Sequence, residues 1–545
     1  IFNLQKHHSE ETMLNYIWLG LLALGIFTAV VLDINDSASD KFHNNKPLSI
    51  VLETSSPDLK NKSDATIRVE PNNFSAFYGS KSSEISQKAN LSYNDAEGFY
   101  SVYMVVNSSS PKVWKDMASA SGDEEDLSGK LWLGKQIEPG KYSAWIVFES
   151  VSMLKMKAVT NAAIDYAGKA VNIALGLVGI MALWLGIMKI AEQAGLIAII
   201  AKSVRPLTKF LFPDVPQDHP AIGSIVMNVS ANMLGLGNAA TPFGLKAMEE
   251  LEKLNPKKGT ATNAMITFLA INTAGLTLIP ATAIAVRAAL GSSDPAIIIG
   301  TSIFGAGCAT IAGISATKLL EKFPMSFAEF VGLLKSSWKM FASLIVLITA
   351  VVFLIMSGAL SSIGSADTIK SIIQIVSVLA IPAIIISFVT FGFIKKVKIY
   401  EVFIEGAKEG FNVALRIIPY LVAMLVAIGI FRAGGAMDFL IMIISPVTSM
   451  IGFPAEALPM ALMRPLSGSG AIGIMTETIS VHGADSFLGI LVSTLNGSSE
   501  TTFYVLALYF GSVGISKMRH AVTVGIIADI AGAIGALIIV KLLFG

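Results

Sequence analysis

Four stretches of this chain carry polar side chains where the surrounding sequence is apolar. The first, MNVSANMLGLGNAATP (227–242), sets Asn228, Asn232, Asn238 and Thr241 among glycines and closes on Pro242. The second, AINTAGLTLIP (270–280), has Asn272, Thr273 and Thr277 ahead of Pro280. The third, MRPLSGSGAIGIMTET (463–478), contains Arg464, Pro465, Ser467, Ser469 and Glu477. The fourth, STLNGSSETTF (493–503), is the most polar, with Asn496, Ser498, Ser499, Glu500, Thr501 and Thr502. Amides and hydroxyls in this pattern can replace the hydration shell of a small polar solute, and their desolvation is offset only when a ligand or water meets them. Substrate binding is therefore expected of Asn228, Asn232, Asn238, Thr241, Asn272, Thr277, Arg464, Ser467, Ser469, Asn496, Ser499, Glu500 and Thr501. Ionisable groups inside a membrane span are costly and mark function by default. Arg464 is expected to pair with Glu500 or Glu477, and Glu500 to carry a coupling cation or proton. Asp529, in VGIIADIAGAIG, is a lonelier case of the same kind. The competing reading is helix–helix glue at about 0.6 kcal/mol per hydrogen bond. It accounts for single Ser and Thr residues better than for clusters broken by Gly and Pro.

Enzyme chemistry finds little support. GSGAIG (468–473) spells G-x-G-x-x-G, but its flanks are apolar spans rather than a βαβ unit. No Walker A, H-E-x-x-H or G-x-S-x-G string occurs. The six histidines are scattered and Cys308 is the single cysteine, so neither a metal site nor a disulfide framework is expected. The chain is read as a non-enzyme without cofactor or metal.

These polar clusters must be positioned by membrane helices. Of 545 residues, 53% are hydrophobic and 14% charged, against about 25% charged in ordinary soluble domains. The formal net charge of +1 gives a nucleic-acid partner no electrostatic case. A span needs about 20 mostly apolar residues. Candidates are 14–33, 171–190, 221–247, 262–289, 295–318, 340–360, 369–394, 409–431, 457–479, 487–512 and 521–543, several interrupted by Gly, Pro or Asn. Runs 192–212 and 433–451 read as amphipathic or re-entrant pieces. The run Tyr16 to Val31 is long for a signal-peptide core and lacks an Ala-x-Ala site, so a retained anchor is expected. Residues 34–150 are rich in Ser, Asn, Asp and Lys. Alternating runs at 49–54, 65–70, 99–106 and 141–149 point to strands of a small sandwich-like β domain. Lys395, Lys396 and Lys398 are expected on the cytoplasmic side, and the insert on the other.

The membrane part repeats. RPLT (205–208) matches SPVT (445–448), an offset of 446 − 206 = 240 between their prolines. GLGNAA (235–240) matches GSGAIG (468–473), offset 470 − 237 = 233. NTAGLTLIP (272–280) matches NGSSETTFY (496–504), offset 496 − 272 = 224, and ATKLL (316–320) matches IVKLL (539–543), offset 539 − 316 = 223. The fold class expected is an all-α polytopic membrane protein with two related repeats and broken helices, plus an inserted small β-rich soluble domain. Its parts are a tail and first helix (1–33), the insert (34–150), a first half (151–325), a linker with an extra helix (326–368) and a second half (369–545). Duplicated halves often place a binding site at their interface, built from interrupted helices.

At this point the residues resemble known families. SANMLGLGNAATPFGLKAMEELEKLNP and ATNAMITFLAINTAGLTLIPATAIAVRA resemble the spore maturation protein A family. IYEVFIEGAKEGFNVALRIIPYLVAMLVAIGIFRAGGAMDFL, PMALMRPLSGSGAIGIMTE and GSSETTFYVLALYFGSVGISKMRHA resemble the spore maturation protein B family. The first resemblance covers 13–33 and about 152–320, the second about 370–545, as in a natural fusion. Both families are grouped with nucleoside-recognition, or Gate, membrane domains. The resemblance implies a multi-pass protein of the bacterial inner (plasma) membrane and a solute site, without fixing the substrate. The insert and the helix at 340–360 depart from the pattern. The expected function is a transporter or channel-like permease for a small polar solute; the alternative is a non-transporting envelope scaffold acting through the insert. Expected partners are the lipid bilayer, the solute with a coupling ion, a second copy of the chain through small-xxx-small faces, and an envelope protein on the insert.

Overall fold

The computed structural model describes residues 2–54, 63–80, 84–121, 126–321, 366–450 and 452–545. The helix expected at 340–360 lies outside the described residues. The chain divides into two compact units. One comprises Leu19–Tyr166 and Val426–Leu440, the other Ile1–Trp18, Ala167–Leu425 and Ile441–Gly545.

The first unit holds the insert. Its strands are β1 (Leu48–Glu53), β2 (Ser63–Val69), β3 (Ile85–Asn94), β4 (Phe99–Val105), β5 (Asp126–Glu138) and β6 (Lys141–Phe148). Each pairs antiparallel with the next, and β6 returns to β1, so the sheet closes into a barrel. This corrects the sandwich expectation. The two strands missing from the sequence reading, β3 and β5, are polar enough to pass for loops, yet they alternate inward through Ile85, Gln87, Ala89 and Leu91 and through Leu127, Gly129 and Leu131. Closure leaves no unpaired sheet edge. Phe74 and Trp114, from short helices Pro71–Tyr78 and Lys112–Ser121, join the strand residues in one core. The insert sits between two long helices, α1 (Phe2–Ala38) and α4 (Leu154–Gln193), the short pair being α2 and α3. The buried Asp33 carboxylate of α1 accepts from Lys155 N at 2.8 Å and Met156 N at 2.9 Å, capping the otherwise unsatisfied start of α4. The Asn44 side chain donates to Val151 O and accepts from Val151 N, tying the insert's two ends together.

The second unit is helical. Its first half continues from α4 into α5 (Leu196–Leu211), α6 (Pro220–Met233), α7 (Gly237–Lys253), α8 (Asn263–Ala274), α9 (Ala281–Ala289) and α10 (Ile298–Leu320). The second half of the repeat comprises α11 (Ala366–Ile394), α12 (Ile399–Ala433), α13 (Ala436–Met450), α14 (Leu458–Leu466), α15 (Gly468–His482), α16 (Phe487–Gly497), α17 (Thr502–Ser512) and α18 (Ala521–Phe544), of which the end of α12 and the start of α13 belong to the first unit. Among the described residues of the whole chain, five helices are long and apolar enough to cross a membrane: Trp18–Ala38, Leu154–Gln193, Pro295–Leu320, Ile399–Ala433 and Ala521–Phe544. Four further candidate spans are each split in two, at 234–236, 275–280, 467 and 498–501. Gly235 and Gly275 take left-handed φ values of 78° and 56°, which only glycine adopts cheaply. Ser467 is extended and its hydroxyl accepts from Gly470 N, starting α15 afresh. The four splits fall at matching places in the two halves.

Small residues let α10 and α18 approach closely. A Cβ built on Gly535 would lie 3.4 Å from Gly305 Cα and 2.9 Å from Cys308 Sγ, one on Gly532 3.3 Å from Ala309 Cβ, and one on Gly313 3.2 Å from Ala528 Cβ. As the residue number rises along α10, that of its neighbour on α18 falls, so the two helices run antiparallel. They are equivalent elements of the repeat, and Ala309 and Gly532 are equivalent positions, since 532 − 309 = 223. The repeats are therefore inverted, about a pseudo-two-fold axis through the Ala309–Gly532 contact. The same relation appears off the axis: Ala274 packs with Ala309 and Ala528, while its counterpart Ser498 packs with Gly305 and Gly532.

In a Cys308→Ser background, Ser293→Cys and Lys517→Cys should react with a membrane-impermeant maleimide from opposite sides of sealed vesicles. Gly305→Val and Gly535→Val should each lower thermal stability by about 1–3 kcal/mol through overpacking. Gly307→Ala, with open space around it, should be neutral or gain up to about 1 kcal/mol of helix propensity.

Candidate functional site

The four helix interruptions of the second unit converge on one cavity of ≈ 350 Å³. The first contributes Asn232 and Gly235, the second Thr277 and Pro280, the third Arg464 and Gly468, the fourth Asn496, Ser499 and Glu500. Each break frees backbone groups, and in a membrane these must be satisfied within the protein. Here the breaks satisfy one another. Leu278 N of the second donates to Met233 O at the first, 2.7 Å away, and Glu500 N of the fourth donates to Thr273 O at the second, 2.8 Å away. Arg464, at the third, donates through its guanidinium to Ser499 O.

The expected site residues separate into two groups. Asn232, Thr277, Arg464, Asn496, Ser499 and Glu500 line the cavity. Asn272 stands behind them, accepting from Asn232 Nδ2 at 3.0 Å and donating to Phe268 O at 2.9 Å, so it orients Asn232. Asn228 is fully buried away from the cavity, where it donates to Ala240 O at 2.8 Å and to Tyr509 OH at 3.3 Å. The amide fastens α6 to α7 and α17. Ser467 spends its hydroxyl on the α15 cap, Ser469 lies 3.3 Å from Ser467, and Thr501 precedes α17; with Thr241 of α7, none of these lines the cavity. The Asn238 side chain lies outside the described residues.

The charges in the cavity are mixed. Arg464 NH2 lies 3.6 Å from Glu500 Oε2, which realises the first of the two expected pairs. The Arg464 side chain is 11% exposed and that of Glu500 49%, so the carboxylate reaches into the open space. Lys189, Glu192 and Trp184 of α4 and Glu409 of α12 also line it. Sequence reasoning passed over these four. Their only signal was a few charges at helical spacing in otherwise apolar helices, such as Lys189 and Glu192, 3.3 Å apart. Asn496 Nδ2 is buried without a hydrogen-bond partner, as is Arg464 Nε. Such donors cost free energy until an acceptor meets them. Among the described residues, no three His, Cys, Asp or Glu side chains gather as a metal ion would require. The arrangement is suited to holding a polar solute.

Two arginine clasps join the halves outside the cavity. Arg287, fully buried at the end of α9, donates to Ala484 O, to Ser292 Oγ at 3.0 Å, to Asp294 O at 3.3 Å and to Asp485 Oδ1 at 2.9 Å. Arg519, before α18, donates to Ala261 O at 3.1 Å and Asn263 Oδ1 at 2.8 Å. Each clasp runs from the loop before the last helix of one half to the loop two helices earlier in the other, as the inverted repeat requires. In the 483–486 loop, partial burial pushes the Asp485 carboxyl up, but hydrogen bonds from Ser292 and Ser293 and the Arg287 charge outweigh it and hold the pKa below the ordinary value.

The family described as nucleoside recognition (Gate) matches residues 174–289 and 414–516, one match in each half. The matches begin 414 − 174 = 240 residues apart, the offset of Pro206 and Pro446. Spore maturation protein B of Bacillus subtilis (strain 168) is 53% identical over 174 residues, 32% of this chain and 98% of that protein. Spore maturation protein A of the same organism is 50% identical over 161 residues, 30% of this chain and 81% of that protein. Inner membrane protein YjiG of Escherichia coli (strain K12) is 32% identical over 77 residues, 14% of this chain and 50% of that protein.

Asp485→Ala removes a partner from a buried guanidinium that keeps other acceptors, so it should cost about 1–3 kcal/mol at neutral pH, read by thermal unfolding. A carboxyl whose folded pKa is depressed stabilises the fold above its unfolded value of about 3.9, and that contribution is lost as pH falls through the lower folded value. The wild type should therefore lose more stability than Asp485→Ala on acidification through that window.

Proposed function

The chain belongs to the spore maturation protein A and B families, and on that premise we propose that it is a permease for a small polar solute in the bacterial inner membrane. The observation that carries this reading is the cavity where four helix interruptions of two inverted halves meet. Inverted repeats with broken helices around a central site are a recurring architecture of secondary transporters. A solute acceptor would take the orphaned Asn496 Nδ2, and Glu500 would receive a donor or cationic group of the solute. Nucleosides are one class to test, because of the description of the matching family. The insert is proposed to lie outside the cytoplasm, on the side opposite Lys395, Lys396 and Lys398.

A second reading, an envelope scaffold working through the insert, has one observation in its favour. Trp132 and Trp145 face each other across β5 and β6 and are 39% and 44% exposed on the outside of the barrel. Aromatic pairs with open faces favour a partner.

The test is ligand-induced thermal stabilisation of the purified chain with nucleosides, small organic acids, amino acids and inorganic cations. A ligand at 100 times its dissociation constant should stabilise by about 2.7 kcal/mol. That gain should vanish in Asn496→Ala and Glu500→Gln and persist in Trp132→Ala. Stabilisation by no member of the panel, in a protein that melts cooperatively, would count against a solute site. Transport that survives removal of the barrel would count against the scaffold.

A further inference from the structure

Asp529 is a carboxylate that the solute site does not use. It stands on α18, 532 − 529 = 3 residues before Gly532 at the pseudo-two-fold axis, and is 8% exposed. Its Oδ2 accepts from Thr502 Oγ1 at 2.5 Å, while its Oδ1 is buried with no partner. The Ser499 side chain reaches it from the fourth interruption, and the Arg464 charge lies nearby at the third. Arg464 is turned away: its NH2 group serves Ser499 O and Glu500, and its buried Nε has no partner.

The other elements packed against α18 bring little charge. The α10 helix carries Cys308 and Lys318, and Lys318 is engaged by Glu321 at 3.0 Å. The α8 and α16 helices carry no ionisable side chain. The α17 helix carries Tyr504 and Tyr509. A buried carboxylate inside a membrane span, hydrogen-bonded only by neutral hydroxyls and with Oδ1 unmet, is not sustained as an anion unless a cation or a proton joins it. A metal cation is disfavoured, because the Arg464 charge lies near the same carboxylate. Two states remain. Either Asp529 holds a proton and Arg464 stays on Glu500, or Asp529 is ionised and Arg464 turns to it.

We propose that Asp529 is a proton-binding site in the membrane core, and that Arg464 is shared between Asp529 and Glu500 according to whether that proton is present. The proton comes from and returns to water in the cavity; no bond other than the carboxyl O–H forms or breaks. Loss of the proton draws Arg464 off Ser499 O and Glu500 and so frees the fourth interruption, which forms part of the cavity wall. Glu500, half exposed and already paired, is the solute-facing carboxylate, and Asp529 the proton-carrying one. The inference rests on the permease reading only in making the proton the coupling ion.

Infrared difference spectra of the full chain in liposomes, recorded without solute as the pH is stepped, test it. The expected result is a protonated-carboxyl stretch that appears and disappears with pH, is lost in Asp529→Asn and is kept in Glu500→Gln. Thr502→Val, which retains the carboxyl and removes the Thr502 donor, should shift the band without abolishing it, and so guards against misfolding of Asp529→Asn. Absence of a pH-responsive carboxyl band in the wild type, or a band unchanged in both Asp529→Asn and Thr502→Val, would overturn the proposal. If that happens while ligand stabilisation survives, this inference alone fails. If an Asp529-dependent band is found but no ligand stabilises the protein, the permease reading alone fails.

Discussion

A backbone that leaves its helix inside a membrane has no water to turn to, and this constraint organises the second unit. The interruptions at 234–236, 275–280, 467 and 498–501 expose amides and carbonyls that a single helix cannot satisfy. The solution is mutual. The second break donates to the end of α6, the fourth donates to the end of α8, and the Arg464 guanidinium of the third serves the carbonyl of Ser499. None of these breaks could persist alone in lipid. Their meeting point is also where the cavity opens, so the requirement that stabilises the broken helices creates the candidate site.

The meeting depends on how the halves are related. The α10 and α18 helices touch along glycines and alanines, and their antiparallel course inverts one half against the other. Small residues do this because apolar side chains gain nothing from leaving lipid, so close backbone packing and hydrogen bonds must hold the helices together. The Arg287 and Arg519 clasps then fix the loop ends, each reaching from one half to the other. Breaking the symmetry between the clasps is informative. Arg287 is buried and ion-paired with Asp485, whereas Arg519, among the described residues, donates to a carbonyl and an amide side chain. One end of the unit is thus fastened by charge and the other by neutral acceptors.

The site departs from the repeat in the same way. Glu409, Arg464 and Glu500 belong to the second half, and Lys189 and Glu192 to the first. The scaffold is symmetric, but the charges it carries are not related by the repeat. The insert answers a different constraint. Its strands alternate weakly, and closure into a barrel around Phe74 and Trp114 supplies the burial that an open sheet of that composition would lack.

Read alone, the sequence determined the membrane class, the two halves, the inserted β domain and the places where helices would break. Each of these is written in local periodicity, composition or the order of short matches. It also singled out Arg464 with Glu500, because charge in an apolar run is conspicuous whatever the fold. What it could not resolve was which side of a helix faces the cavity. Asn228 and Asn232 share one helical face by spacing, yet one fastens α7 and α17 and the other lines the cavity, a difference set by what packs against each turn. The inverted relation of the halves, the closed course of the barrel and the isolation of Asp529 Oδ1 were likewise decided only by tertiary structure. Helix direction, sheet closure and an unmet hydrogen bond are relations between distant segments, and no local pattern encodes them.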